Sequence, residues 1–256
     1  MDRRLTAVVL TLVMMMVLAW TVVGGAADGG SDKVYVASTA WTGAIARAAG
    51  ARNVQVLAPL DLRHPPEYDF RPSDVQKALE ADMIFWGGYE GFIRNLVAAN
   101  DIPEEKLCIV ATNNSPDHLV EHTRALAEKL GTQDLQRAWE AEFVPLSQRV
   151  RERAAAQGTE NIKVLVSFHQ EKLVRWLGYD VVGIIGVNEL TPNQIAELIA
   201  AEPDMVIENW HSAQAQPVAE AAGAKYVELL NFPGTHGTDT IDSVFIYNMR
   251  QLGLLD

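Results

Sequence analysis

From residue 33 onward, short apolar runs alternate with longer amphipathic ones. The runs at 34–37, 54–57, 83–86 and 107–111 are too short for helices and are bounded by polar or glycine-containing turns, so they read as strands. Between them, 41–49, 74–81 and 89–99 carry helical spacing, with Gly50 closing the first and Ser73 expected to cap the second. From about 116 to 161 there is no strand candidate, only a charged helical run that Pro145 is expected to kink or divide. Strands at 163–167, 181–185, 205–208 and 225–230 then alternate with helices at 170–177, 192–201, 213–222 and 243–252. Thr191 caps the second of these helices, and Pro192 takes its first position. The pattern predicts an α/β protein with two parallel-sheet lobes (33–125 and 161–256) joined by one long helix within 126–160. In such folds a ligand sits at the carboxyl ends of strands, here in the interlobe cleft.

The first residues change the picture of where the protein works. Met1-Asp2-Arg3-Arg4 is followed by an uncharged run over 5–23 and a small, flexible stretch over 24–31. This is the layout of a secretory signal cleaved after Ala26 or Ala27, and the run is also long enough for an uncleaved anchor. Residues 1–27 are therefore expected to be a signal peptide or N-terminal membrane anchor. The remainder is expected to be exported, either periplasmic or tethered to the outer face of the cytoplasmic membrane. Cys108, the single cysteine, lies in an apolar strand and reads as a core residue, so no internal disulfide forms. A net charge of -12 argues against nucleic acid or anionic lipid as partners, since both need clustered positive charge. Membrane contact is left to the N-terminal segment or to a membrane-embedded partner.

Four of the six histidines share a topological address. His64 lies in a loop stiffened by Pro65 and Pro66 after the second strand, and His169 directly follows the 163–167 strand. His211 lies three residues past Glu208 at another strand's end, and His236 follows the last strand. Imidazoles gathered with a carboxylate at strand ends suit a Zn²⁺ or Mn²⁺ site drawn from several loops. His64, His169, His211, Glu208 and His236 are the candidate ligands, with Glu67 a further carboxylate or a hydrogen-bond partner of His64. His118 and His122, spaced four apart beside Asp117 and Glu121, read as an exposed charged helix face. Glu90 reads either as a cleft acid or as a first-turn helix acid. No nucleophile elbow, phosphate-binding glycine loop or His-Glu-x-x-His motif occurs, so an enzyme is not expected.

Several segments resemble the solute-binding proteins of zinc- and manganese-type metal ABC transporters. They are Ser38-Thr39-Ala40-Trp41, Tyr68 through Pro72-Ser73-Asp74, Gly87-Gly88-Tyr89-Glu90-Gly91-Phe92, and His169 through Gly183. The 208–223 stretch and Asn231-Phe232-Pro233-Gly234 follow the same order. The resemblance covers 33 to about 252 and implies two lobes bridged by a helix, with one divalent ion held between them for delivery to an ABC permease. His169 matches the histidine that opens the second lobe, and His64 stands in the first-ligand loop, further ahead of Pro72 than in the family. Asn113-Asn114-Ser115-Pro116 replaces the family's second histidine segment, and Asn231 stands for its final aspartate. His211, with Glu208, or His236 is expected to replace the missing ligands. Imidazoles would favour Zn²⁺; carboxylate substitution would move preference toward Mn²⁺ or Fe²⁺. Two alternatives are the same fold holding a metal chelate or small organic molecule, and an exported metallochaperone or metalloenzyme.

Overall fold

Strands β1 (Tyr35–Ala37), β2 (Val54–Val56), β3 (Met83–Trp86) and β4 (Leu107–Ile109) form a sheet ordered β2-β1-β3-β4. Strands β5 (Lys163–Ser167), β6 (Asp180–Ile185), β7 (Met205–Asn209) and β8 (Lys225–Leu229) repeat that order as β6-β5-β7-β8. Every pairing is parallel. This computed structural model describes residues 33–60, 62 and 67–256. The expected signal or anchor at 1–27 and the candidate ligand His64 lie outside the described residues. Among those described, no helix is long and apolar enough to cross a membrane.

The strands read as unbroken apolar runs because both faces of each sheet are covered. Tyr35 and Phe85 face a central cluster, whereas their neighbours Val36 and Ile84 face an outer one. In the first lobe, α1 (Ala40–Ala48) packs on the inner face, and α2 (Pro72–Glu80) and α3 (Gly91–Ala99) cover the outer face. In the second, α6 (Glu171–Trp176) and α9 (Ile241–Gln251) lie inside, while α7 (Pro192–Ala200) and α8 (Gln216–Ala222) lie outside. The central cluster runs through both lobes, from Trp41 and Phe85 to Val166, Ile207 and Phe245.

Two helices fill the segment between the lobes: α4 (Pro116–Leu130) and the 24-residue α5 (Gln133–Ala156). The division falls at Gly131, whose φ of 74° is left-handed, and not at Pro145. Helix α5 runs through Pro145 because Phe143, Val150 and Ala154 are fully buried along its inner side. Their burial outweighs a proline cost of about 3 kcal/mol. Phe143 meets Phe245 edge-on with ring centroids 5.4 Å apart, and Trp139 Nε1 donates to Asp242 Oδ2 at 2.8 Å. These contacts bind the connecting helix to α9.

Thr191 caps α7 as its sequence predicts, its hydroxyl accepting from Gln194 N, but Ser73 does not cap α2. Helix α2 begins at Pro72, and it is Asp74 that reaches back to accept Arg71 N at 3.0 Å. Asp74 also takes hydrogen bonds from Tyr68 Oη and Lys77 Nζ, a set that holds its carboxyl below the usual range despite burial. Cys108 is buried in the central core, as expected of an apolar strand.

Candidate metal centre

Each sheet has one point where adjacent strands send their connections in opposite directions, and a crevice opens there at the carboxyl ends. In the first lobe that point lies between β1 and β3. It is occupied by the protein itself: Ser38 Oγ donates to Glu90 Oε1 at 2.6 Å, and Gly87 N reaches both Glu90 oxygens at 3.0 and 2.9 Å. Glu90 is fully buried and stands immediately before α3, so it pins two strand-end loops together.

In the second lobe the switch lies between β5 and β7, and here two imidazoles emerge. His169 sits in the short turn Phe168–Gln170 directly after β5, and His211 in the turn Trp210–Ser212 after β7. The His169 ring is exposed to solvent on one side, yet the protein around it lowers its pKa by desolvation. It is therefore neutral near pH 7, as a metal ligand must be. His211 is buried, with its ring against Phe232 at a centroid distance of 3.5 Å. Its Nδ1 lies 3.3 Å from Asn209 Oδ1.

The other candidates are placed differently. His236 is exposed, with φ +50°, and stacks on Tyr247 at 5.0 Å while facing the edge of Trp210. Glu208 is fully buried on the outer face of β7, beside Val206 and under α8, away from the inner face that leads to His211. Its Oε2 accepts from Gln214 N, Ala215 N and Tyr226 Oη at 2.8, 2.7 and 2.9 Å. Burial raises its pKa despite those bonds, with Glu228 adding to the effect. Glu208 thus anchors the turn into α8. Among the described residues, no three of His, Cys, Asp and Glu stand together as a metal-holding group. The structure does not assemble His169, His211, His236 and Glu208 into one.

It does leave oxygen acceptors unpaired at strand ends. Asn114 Oδ1, Ser167 Oγ and Asn231 Oδ1 are buried without hydrogen-bond partners. Each such atom costs roughly 1–3 kcal/mol unless a water or ligand satisfies it. Asn114 Nδ2 donates to Gln170 Oε1 at 2.9 Å, which places it against the turn that carries Ser167 and His169. Gln170 Nε2 in turn points at Leu229 O, 3.4 Å away, two residues before Asn231. Ser167 was missed by sequence reasoning, although it is the last residue of its strand, where side chains enter the cleft.

His118 and His122 are not an exposed face. Both are partly buried, their rings stack in parallel 5.7 Å apart, and Ala111 N donates to His122 Nε2 at 3.0 Å. Burial, then the neighbouring His118, lowers the His122 pKa, against a smaller pull from Glu121.

No protein-family model matches the chain, and no curated protein sequence does. Solved structures do. A manganese-bound mutant of a periplasmic metal-binding protein from Candidatus Liberibacter asiaticus aligns with TM-score 0.60 and 15% identity, over 87% of this chain and 100% of that one. The laminin-binding protein of Streptococcus agalactiae, described as bifunctional with adhesin and metal-transporting activity, aligns with TM-score 0.63 and 13% identity, over 87% and 99%. The laminin-binding protein of Streptococcus pyogenes aligns with TM-score 0.65 and 13% identity, over 87% and 98%. The chain has the two-lobed fold of these proteins, the fold that its sequence resemblance implied.

Proposed function

We propose that this chain is an extracytoplasmic solute-binding protein that captures one divalent transition-metal ion between its lobes and hands it to an ABC permease. The observation that carries this reading is the position of His169 at the switch point of the second lobe, where desolvation lowers its pKa, beside the unpaired oxygens of Asn114 and Ser167. His64 supplies the imidazole of the first lobe, and Asn231 Oδ1 a neutral oxygen. His211 is the reserve ligand, and His236 the peripheral one. Glu208 drops out because it lies on the outer face of β7, away from His169 and His211, where its Oε2 holds two backbone amides and a phenol. With His211 engaged, three imidazoles and no carboxylate favour Zn²⁺ over Mn²⁺. Export follows from the basic and then apolar N-terminus, and delivery to a permease from the resemblance and the shared fold. The role is capture and transfer, not catalysis.

A second reading keeps the fold and changes the cargo to a metal chelate or small organic molecule. It draws on the absence of a three-donor His, Cys, Asp or Glu group among the described residues. Elemental analysis of the exported domain purified without chelators, followed by competitive Zn²⁺ and Mn²⁺ titration, separates the two. On the metal reading one equivalent is bound, and His64→Ala and His169→Ala each weaken it by about 10–100-fold, as loss of a ligand or its immediate support does. His236→Ala leaves it nearly unchanged. Binding that is absent, or indifferent to both substitutions, sinks the metal reading.

A further inference from the structure

A cavity of about 510 Å³ opens on the seam between the lobes, on the β2 side and away from His169. Its first-lobe wall is α1 and the end of β2, including Arg47 and Pro59; its second-lobe wall is the loop from Pro233 to Thr240, including Asp239. The volume falls in the range of small-molecule sites. The two lobes touch at its edge: a Cβ on Gly234, at φ +125°, would lie 2.2 Å from Leu60 O. The cavity is therefore a defined gap beside a tight contact.

Its polar groups are of opposite charge and unpaired with each other. Arg47 Nη2 donates to Val54 O at 2.9 Å, which fixes the guanidinium over β2. Gly43 makes room for it, since a Cβ there would stand 3.3 Å from Arg47 Nη1. That bond uses a single donor of the five that a guanidinium carries. Asp239 lies across the gap at the start of α9, where its backbone N donates to Ser243 Oγ. Burial lowers the Arg47 pKa, and Asp239 is near enough to offset part of that by favouring the charged form. Apolar side chains, Ala40, Val56 and Leu60, line the space between them.

We propose that this seam cavity binds a small aminocarboxylate zwitterion, its carboxylate on the Arg47 guanidinium and its ammonium on Asp239. A guanidinium fork and a carboxylate set apart over an apolar floor match a ligand that carries both charges. A simple carboxylate or a simple amine satisfies only one end. Occupancy would brace the two lobes against each other, because each end of the ligand is held by a different lobe.

The test is calorimetric titration and thermal shift of the exported domain in excess chelator, so that the outcome is independent of metal capture. The probes are L-alanine, L-histidine and glycylglycine, with acetate and methylammonium as single-charge controls. At least one zwitterion should bind and raise the melting temperature, and Arg47→Gln and Asp239→Asn should each weaken that binding about tenfold or more. Asp239 is exposed, so D239N carries the test if R47Q fails to fold. The proposal is overturned if no zwitterion binds, if acetate or methylammonium binds as well, or if D239N binds like the wild type.

Discussion

Asn114 and Gln170, both buried, join the lobes through a 2.9 Å amide–amide hydrogen bond. Asn114 ends the connection from β4, and Gln170 ends the turn after β5, so the bond ties together the two carboxyl ends that face the cleft. Gln170→Ala should cost about 1–3 kcal/mol, since it strands the Asn114 amide in the core. For a chain of this size that lowers the melting temperature by about 2–4 °C per kcal/mol. A double-mutant cycle with Asn114→Ala should return a coupling energy of about 1 kcal/mol, and additive losses would show that the bond contributes nothing.

Gly234 is the second tie. An alanine there needs both a left-handed backbone and room that Leu60 O already fills at 2.2 Å from the added carbon. Gly234→Ala should destabilise by roughly 2–4 kcal/mol or separate the lobes at this edge. Small-angle scattering distinguishes an opened molecule from one merely less stable. Wild-type behaviour in both measurements would contradict the contact.

Stability should fall as the solution is acidified through the histidine range. His122 and His169 both have lowered pKa values, so between those values and the unfolded value near 6.5 the folded state binds fewer protons. Their contribution is present above the unfolded pKa and is lost as pH drops through the folded one. Protonated His122 can no longer accept from Ala111 N. His122→Leu should cost about 1 kcal/mol at pH 7.5 by freeing that amide, and should flatten the loss between pH 7 and 5. Urea unfolding across that range provides the check.

Glu208 has the opposite sign. Its pKa is raised, so its contribution is full below the unfolded carboxyl value and declines as pH rises through the folded one. Glu208→Gln keeps an acceptor for Gln214 N, Ala215 N and Tyr226 Oη but cannot ionise, so its stability should gain on the wild type as pH rises from 4 to 7. Glu208→Ala strands those donors and should lose about 2–4 kcal/mol at any pH. A glutamine variant whose stability does not gain on the wild type between pH 4 and 7 would refute this account.

The fold was legible because parallel strands covered on both faces are continuous apolar runs, and Val36, Ile84, Val166 and Ile207 all show zero exposure. The site was legible only in part. His169 and His211 stand where strand ends predicted, but Glu208 does not accompany His211. Strand alternation was the overlooked signal: Met205, Ile207 and Asn209 share one face of β7, while Val206 and Glu208 share the other. His118 and His122 misled for a different reason. Their charged neighbours suggested solvent, but the Ala111 amide after β4 required an acceptor, and this came from a helix eleven residues on. Pro145 does not end its helix because the buried side chains on either side outweigh the local effect of the ring.

The order β2-β1-β3-β4 returning as β6-β5-β7-β8 means that the molecule is one plan built twice with different fittings. One copy has plugged its own crevice with Ser38 and Glu90; the other leaves two imidazoles there. The buried keystone and the two strand-end imidazoles therefore reside in separate halves. The loops of the second can be rewritten without disturbing the keystone of the first.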